Sequence, residues 1–495
     1  MLSPLTPAHT MKVKVLHHTE ENAVRGSVRE RHRVRKNPDP LLHPFERAKE
    51  YTRAVRAAKL DRMFAKPFLG AMDDHSDAVQ CASTSPASLV ALVTGAADGE
   101  VIVWDLPTRQ KLWSVHAHTG TARGVAIARN GATFFSCGTD RTIKHWRMAA
   151  QEAEAAGAGG GGGGGGGRGS GGGAAAAPAV APLRVWTGKQ PYFGVDAHWR
   201  EAQRFAAASS VIELWDAGRG DPVSTYAWGC DSVTSVRWCP SETSLLAATS
   251  GDRGVSLYDA RQATPLRKAT LAMACNAVAW NPREPMNFTA ASEDSNLYTF
   301  DMRKLEAALC VHKGHASAVM DVHYAPTGKE FVSGSYDKTV RLWPSVGSSS
   351  SSSSSSGGGG APGRSRDCYH TSRMQRVFAV RFTPDARFVL SGSDDANVRV
   401  WKARANESLA RAMPRERAAK DYAAALVKKF GHMPEVRRIT SQRHLPSMIR
   451  SANAATTVAE AKARRKLANV RAHSKPGSVA GLAAAERKKP ILAVQ

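Results

Sequence analysis

Arginine and lysine side chains clustered towards the C-terminus are the residues of this sequence best suited to binding chemistry. Guanidinium and ammonium groups contact phosphate oxygens without needing a sequence-specific pocket. Residues 402–495 hold 21 basic and six acidic residues, so few carboxylates can neutralise the cations. We predict that this region binds a polyanion, with RNA as the obvious one, through these side chains: Arg437, Arg438, Arg443, Lys462, Arg464, Arg465, Lys466, Arg471, Lys475, Lys488 and Lys489.

Two other interpretations of the same cations stay open. Charge runs on helices often contact only water, and excess charge also keeps proteins soluble. Of the net charge of +25, residues 1–70 contribute +8 and residues 402–495 contribute +15, which leaves +2 for residues 71–401. A near-neutral middle with two basic ends favours a polyanionic partner.

Catalytic and metal-binding motifs are lacking. The glycine run 159–167 contains trivial matches to GxGxxG, but they lie in a low-complexity tract without a strand–loop–helix unit around them, and neither GxxxxGK[ST] nor HExxH is present. The seven cysteines form no CxxC pair, which argues against a zinc ribbon or a disulfide framework and favours a reducing, intracellular compartment. We therefore expect a noncatalytic protein with no metal, cofactor or small-molecule substrate.

Membrane and secretion signals are also missing from the sequence. No stretch of 18 or more apolar residues exists, so we expect no membrane partner. Met1–Thr10 lacks the apolar segment of a secretory signal. These ten residues differ in character from those that follow, and Met11 is a plausible alternative start.

A repeat in the middle of the chain predicts the scaffold that carries the basic ends. Small residues, an aspartate, an alternating apolar run and an aromatic anchor recur, as in Gly95–Trp104 and Gly334–Trp343. The spacings between anchors are 42, 69, 43, 42, 43 and 58 residues. The anchors are Trp104, Trp146, Trp215, Tyr258, Phe300, Trp343 and Trp401. A period near 42 is typical of a four-stranded propeller blade, so seven anchors predict seven blades.

The two long spacings contain low-complexity tracts. One holds the glycine run and an alanine-rich stretch, and the other holds the serine run 348–356 followed by four glycines. Such tracts cannot bury enough apolar surface to offset the entropy of ordering. We predict disordered inserts at about 150–180 and 346–364.

Turn aspartates support the blade assignment. An aspartate suits a tight turn between strands because its carboxylate accepts backbone N–H bonds. Only the third repeat lacks it and has Ser209 instead. In the other repeats it lies six residues before the anchor, at Asp98, Asp140, Asp252, Asp294, Asp337 and Asp395.

Ring closure sets the predicted domain bounds. A propeller leaves no long free sheet edge when one terminus completes the blade begun by the other. We expect Ala65–Met72 to complete the seventh blade beside Val398–Trp401, which would bring both basic ends to one side of the ring. The predicted domains are a basic extension at 1–64, a propeller at 65–402 and a basic helical region at 403–495.

Helices are predicted in both ends. Residues 46–62 have a helical composition, and Pro414 and Pro446 suit first helical positions. The second of these proline-led helices should be the longer one and must stop before Pro476. In the first, an apolar stripe with a spacing of four residues is expected to pack on the propeller; it consists of Tyr422, Leu426 and Phe430.

Motifs in the ends and the blades together resemble the Sof-type WD-repeat family. The resemblance runs from about Met11 to Val479, broken only by the two inserts. The segments that carry it are His43–Glu46, Lys59–Phe68, Asn296–Arg303, Pro326–Ser333, Lys420–Tyr422, Arg443–Pro446 and His473–Val479. The implied fold is all-β: a seven-bladed WD-repeat β-propeller with a basic N-terminal extension and a basic α-helical C-terminal Sof-type domain.

The same resemblance implies structural roles for the repeated residues. In this family a histidine, the turn aspartate, a serine or threonine and the tryptophan form a buried hydrogen-bonded set. Blade 6 matches best, with His315, Asp337 and Trp343 joined by Ser333 or Ser335. The corresponding structural residues elsewhere are Asp98, Trp104, Asp140, Trp146, Asp395 and Trp401.

The functional implication is assembly of ribonucleoproteins. Family members belong to the small-subunit processome, associate with the U-three small nucleolar ribonucleoprotein and are needed to process small-subunit (18S) ribosomal RNA. The expected partners are preribosomal RNA, that ribonucleoprotein and processome proteins. The expected location is the nucleolus.

An alternative function attributed to the family is substrate receptor of a cullin-four ubiquitin ligase. Such receptors dock on the ligase adaptor through a WDxR-type motif at the end of a third strand. The candidates are Asp259 with Arg261 and Asp301 with Arg303, where Tyr258 and Phe300 replace the tryptophan. Both aspartates are also ordinary blade residues, so a purely structural role stays open.

Overall fold

The computed structural model describes most of the chain. Its described residues are 44–148, 181–346, 363–407, 409, 413–442, 444–475 and 487–494. Residues 150–180 and 347–362 of the predicted inserts, Met11, the basic residues before position 44 and Arg443 lie outside them. The contacts divide the chain into two compact units. The smaller unit spans residues 1–65, 355–358 and 406–442, and the larger one spans 66–354, 359–405 and 443–495.

Seven antiparallel sheets form the larger unit. Blade 7 contains β1 (Phe68–Met72), β28 (Val398–Lys402), β27 (Phe388–Ser393) and β26 (Val377–Phe382). Blade 1 contains β2 (Val79–Thr84), β3 (Ala91–Ala96), β4 (Glu100–Asp105) and β5 (Gln110–His116). Blade 2 contains β6 (Ala122–Ile127), β7 (Thr133–Gly138), β8 (Thr142–Arg147) and β9 (Arg184–Thr187). Blade 3 contains β10 (Gly194–Ala197), β11 (Arg204–Ala208), β12 (Ile212–Asp216) and β13 (Ser224–Tyr226).

The remaining blades continue the same order. Blade 4 contains β14 (Val233–Trp238), β15 (Leu245–Ser250), β16 (Gly254–Asp259), β17 (Arg267–Leu271) and β29 (Ile491–Val494). Blade 5 contains β18 (Cys275–Trp280), β19 (Asn287–Ser292), β20 (Leu297–Asp301) and β21 (Cys310–His312). Blade 6 contains β22 (Val319–Tyr324), β23 (Glu330–Ser335), β24 (Val340–Pro344) and β25 (Asp367–Tyr369). The predicted seven-bladed propeller is therefore confirmed.

The third strand of each blade carries the aromatic anchor. Both faces of a blade are covered by its neighbours, so these strands carry buried apolar side chains on both faces rather than on one. In β4, for example, Val101, Ile102, Val103 and Trp104 are all fully buried. All seven anchors are at most 4% exposed, which explains why their spacing reports the blade period.

The predicted closing strand is also confirmed. Strand β1 pairs antiparallel with β28, with Phe68 opposite Trp401. Their rings lie 5.5 Å apart in an edge-to-face arrangement. The Lys402 N–H donates to the Pro67 carbonyl at 2.8 Å. The chain therefore enters and leaves the ring at neighbouring points.

Alternating strand direction gives the ring two distinct faces. The turn face carries the loops between second and third strands, such as that of Asp294, and the loops that enter each blade, such as 313–315. The opposite exit face carries the turns that follow third strands, such as 259–261. Because β28 starts after the Asp395 turn and ends at Lys402, both ends of the propeller leave from the exit face.

A long C-terminal helix belongs to the larger unit. Helix α4 (Ser447–Ala472) follows Pro446, as predicted, and lies over the turn face beside the loops of Ser295 and Gly314. The prediction that all terminal basic residues share one side of the ring is therefore wrong for α4. Its cations lie on the turn face, whereas the ends of the propeller lie on the exit face.

The last strand, β29, was not predicted. It pairs antiparallel with β17, the outer strand of blade 4, with Ile491 opposite Leu271. The Ala272 N–H donates to the Pro490 carbonyl at 2.8 Å. Five strands in one blade result, and the C-terminal end of the described chain is tied to the propeller.

Three helices form the described part of the smaller unit: α1 (Glu46–Met63), α2 (Pro414–Lys429) and α3 (Pro434–Ser441). The apolar stripe of α2 contacts α1, so the prediction that it packs on the propeller is wrong. The rings of Tyr51 and Phe430 lie 5.9 Å apart, and Leu426 is buried. Lys429 Nζ lies 2.6 Å from Glu50 Oε2.

Candidate basic interface and docking motifs

In blade 6 the recurring polar residues form a continuous hydrogen-bonded chain. Trp343 Nε1–H donates to Ser333 Oγ at 2.8 Å, and Ser333 Oγ lies 2.7 Å from His315 Nε2. His315 Nδ1 lies 2.9 Å from Asp337 Oδ2. An ionised carboxylate can only accept, so Nδ1 carries the ring proton. Of the two predicted serines, Ser333 joins this chain, while Ser335 donates to backbone carbonyls.

Burial and charge set the ionisation states in this chain. Burial lowers the pKa of His315, so the ring is neutral near pH 7. Burial alone would raise the pKa of Asp337, but the interaction with His315 and the hydrogen bond from Thr339 lower it well below its usual range. The imidazole of His315 is neutral and the carboxylate of Asp337 is ionised, and both are buried. Their hydrogen bonds connect the turn at Asp337 to Ser333 on β23.

Blade 2 repeats this arrangement in full, whereas blades 1 and 7 repeat it in part. In blade 2, His118 bridges Asp140 and Ser136, and Ser136 accepts from Trp146 Nε1–H at 2.9 Å. In blade 1, Trp104 Nε1–H donates to Thr94, which lies 2.7 Å from His75 Nε2, but Asp98 bonds Ser76 instead of the ring. In blade 7, Trp401 Nε1–H donates to Ser391, and Asp395 pairs with Arg399.

Blade 4 carries a polar set that sequence reasoning missed. Cys230 precedes Asp252 by 22 residues, the same spacing as His118 to Asp140, so the signal was present. Its Sγ lies 3.4 Å from Asp252 Oδ2, and Lys268 Nζ lies 2.5 Å from the same oxygen. Burial alone would raise the pKa of Asp252, but hydrogen bonds from Lys268 and Ser250 lower it to about 2. A lysine thus replaces the histidine as the partner of the turn aspartate.

The predicted RNA-binding cations are distributed over both units. Arg437 and Arg438 lie exposed on α3 of the smaller unit. Those of the larger unit are all exposed as well: Lys462, Arg464, Arg465, Lys466, Arg471, Lys475, Lys488 and Lys489. Within the larger unit, α4 and residues 487–489 meet at the turn face, because Lys489 and Arg464 line one cleft there.

The two predicted docking motifs end neighbouring third strands on the exit face. Asp259 ends β16, and its Oδ1 accepts the Arg261 N–H at 3.0 Å. Asp301 ends β20, and its carboxylate accepts from the Arg303 N–H, Nε at 3.1 Å and Nη2 at 2.9 Å. Hydrogen bonds from Arg303 lower the pKa of Asp301. Both arginines are exposed, and the side chain of Arg303 is 68% exposed.

Within the described ranges, no group of three or more His, Cys, Asp or Glu side chains is placed to hold a metal ion. Among the helices described, none is both long and apolar enough to cross a membrane. None of the seven cysteines takes part in a disulfide.

Comparison with known protein families agrees with this architecture. Residues 403–491 match the Sof1-like domain. The WD domain, G-beta repeat, matches residues 67–105, 109–147, 220–259, 308–344 and 366–402. The two blades without a match are blade 3, which lacks the turn aspartate, and blade 5, which has Phe300 as its anchor. Their membership in the ring rests on the observed sheets.

Relatives cover nearly the whole chain. DDB1- and CUL4-associated factor 13 of Xenopus laevis is 43% identical over 484 residues, which are 98% of this chain and 100% of that protein. The Homo sapiens protein of the same name is 43% identical over 488 residues, with the same coverage. Protein SOF1 of Saccharomyces cerevisiae is 36% identical over 494 residues, which are 97% of this chain and 94% of that protein. With identities of this size along both the propeller and the helical end, the chain belongs to the Sof1 family of WD-repeat proteins.

Proposed function

We propose that this protein is a noncatalytic scaffold of the small-subunit processome, associated with the U-three small nucleolar ribonucleoprotein in the nucleolus and required for processing 18S ribosomal RNA. The observation that carries the proposal is the set of exposed cations on α4. Five of them lie between Lys462 and Arg471, and the only acidic residue of that helix is Glu460. A neutral propeller beneath them offers its rims to partner proteins.

Crosslinking and RNA sequencing in cells tests the proposal. We expect the full-length protein to crosslink to preribosomal and U-three RNA, and a variant lacking residues 444–495 to lose these crosslinks at equal expression. Reads dominated by messenger or transfer RNA would contradict the proposal.

In vitro, binding of purified protein to RNA should be steeply salt dependent. Each phosphate contact on a single strand contributes about −0.7 to the slope of log K against log salt. Affinity that is the same at low and high salt would exclude an electrostatic interface.

Docking on a cullin-four ligase adaptor is a second candidate function. It is supported by the name of the relatives, DDB1- and CUL4-associated factor 13, and by the exposed Arg261 and Arg303 on adjacent blades. A buried arginine anchor often dominates an interface. We expect the double variant Arg261→Ala/Arg303→Ala to recover at least about tenfold less DDB1 in a pull-down.

Arg283→Ala provides the matched control because Arg283 is another exposed arginine on the exit face of blade 5. It should recover DDB1 as wild type does. Equal recovery by the double variant and the control would count against the receptor function.

A further inference from the structure

A cleft of about 660 Å³ separates α4 from the turn face of the propeller. Its floor is formed by the blade 5 turn at 294–296 and by the loop 313–315, which enters blade 6. Its roof is one face of α4, and one end is closed by Lys489 and Pro490. Most of the side chains with which α4 lines the cleft are small, which keeps the space open: Asn453, Thr456, Ala459 and Ala463, with the larger Arg464 and Leu467 beside them.

Three cations from distant parts of the sequence line this cleft: Lys313, Arg464 and Lys489. One acidic residue, Asp294, also lines it. The Asp294 carboxylate accepts the Asn296 N–H at 3.0 Å and the hydroxyl of Tyr298, so both of its oxygens already have a partner within the blade. In the part of the chain that the structure describes, Arg464 and Lys489 take part in no ion pair. The cleft therefore has a net positive lining.

A buried guanidinium adds to this charge from beneath. Arg341 is 4% exposed, and its Nε and Nη2 have no hydrogen-bond partner. Its Nη1 donates to Ser365 Oγ at 3.4 Å. The guanidinium lies directly behind Gly314 in the cleft wall, since a Cβ on that glycine would be 2.6 Å from Nη1. The Asp337 carboxylate lies close enough to interact with this charge, but it does not satisfy Nε or Nη2. Buried N–H groups without an acceptor are costly, and a phosphate oxygen in the cleft would offset part of that cost.

We propose that this cleft holds the phosphate backbone of single-stranded RNA. The proposal rests on the RNA-binding function proposed above and names the place where the strand lies. Phosphates match the cations on both walls, and each can accept charge-assisted hydrogen bonds from Arg464 and Lys489.

The lining favours RNA over an acidic protein segment. A docked peptide is anchored by large side chains in pockets or by pairing with a sheet edge. Here the roof is built mostly of small side chains, with Leu467 as its one large apolar residue, and the floor consists of turns. Tyr298 is only 4% exposed, so a base has no aromatic surface on which to stack. Backbone contact without sequence preference is the mode that remains.

Fluorescence anisotropy with a labelled 20-nucleotide oligouridine tests the site in the full-length protein. The variant Arg464→Ala/Lys489→Ala should bind on the order of tenfold more weakly, because two charge-assisted contacts are lost. Its log–log salt slope should be smaller by about 1.4. The control Lys111→Ala/Lys189→Ala removes two exposed charges elsewhere on the propeller and should bind like wild type. Circular dichroism melts establish that all proteins are folded.

The comparison pair Lys462→Ala/Lys466→Ala removes two exposed α4 lysines that do not line the cleft. If it weakens binding as much as the cleft pair does, the cleft proposal is overturned while RNA binding stands. Wild type that does not bind RNA would overturn both proposals. Displacement of the oligouridine by polyglutamate at equal charge concentration would assign the cleft to an acidic protein instead. A 4-thiouridine strand should crosslink to residues 294–298, 313–315 or 453–467.

Discussion

At the scale of single residues, the polar sets on the turn face differ in the number of hydrogen-bond partners that their serine has. Ser333 serves two partners, because it accepts from Trp343 and contacts His315. Ser391 in blade 7 serves Trp401 in the same way but contacts no histidine. The two serines therefore form a matched pair for measuring the bridge.

Ser333→Ala should lower the free energy of unfolding by about 2–4 kcal/mol, since two buried polar groups lose a partner. Ser391→Ala should lower it by about 1–2 kcal/mol, because only one donor is orphaned. Urea titration followed by tryptophan fluorescence measures both. Losses of equal size would mean that the His315 contact contributes nothing.

Acid sensitivity follows from the buried histidines. Burial, which outweighs the nearby charge of Asp98, lowers the pKa of His75 to about 4 from 6.5, so the unfolded chain takes up a proton before the folded one. Stability should therefore fall as the pH drops from 6.5 towards 4, by about 1.4 kcal/mol per unit from this residue.

His75→Gln should reduce the slope of unfolding free energy against pH by about 1.4 kcal/mol per unit between pH 6 and 5. The exposed His116→Gln is the control and should keep the wild-type slope. Parallel slopes for the two variants would show that His75 is not responsible.

The roles of some of these residues could be predicted from the sequence, and the roles of others could not. His315 and Asp337 follow from a fixed distance to Trp343, because the blade repeats the same turn. The sequence gives no such signal for Arg341. Its burial and the lack of hydrogen-bond partners at Nε and Nη2 depend on which groups surround the side chain after folding. Lys268 was missed for the same reason: its partner Asp252 lies in the turn between β15 and β16, which comes next to Lys268 on β17 only after folding.

At the scale of elements, the two strands that the termini contribute differ in predictability. β1 follows from the need to close a ring, and its partner is fixed by the blade count. β29 is a four-residue apolar run, which has no helical or repeated pattern, and its partner could have been any outer strand. Tyr422 and Phe430 likewise show an apolar stripe on α2 but not that α1 covers it.

Removal of residues 491–495 should reduce the protection of α4 against amide exchange. The strand ties the end of the described chain to β17, so its loss leaves residues 487–490 held by fewer hydrogen bonds. We expect faster amide exchange in 447–472 and 267–271, measured by mass spectrometry. Strand β1, paired with β28, should keep its protection and serves as the internal control. Unchanged exchange in α4 would show that β29 does not restrain it.

At the scale of the whole molecule, the proposed functions use opposite faces of one ring. The cleft with Arg464 lies on the turn face, and Arg261 and Arg303 lie on the exit face. Two sites on separate faces of a rigid propeller need share no residue. RNA and the ligase adaptor should therefore bind independently.

Titration of DDB1 into the protein with and without saturating oligouridine tests this independence. The dissociation constants should agree within about twofold, which corresponds to a coupling free energy of about 0.4 kcal/mol. A shift of tenfold or more would indicate that the sites are linked or overlap.

The closing strand also has a consequence for how the chain reaches its native state. Phe68 is synthesised early, yet its partner Trp401 is 333 residues further along. Contacts so distant in sequence form slowly, because the intervening chain must be ordered first. Until β28 leaves the ribosome, β1 is an unpaired strand beside a growing stack of blades. Blade 7 can therefore close only late in synthesis. A chain truncated before residue 398 lacks β28, so its ring stays open and exposes sheet edges.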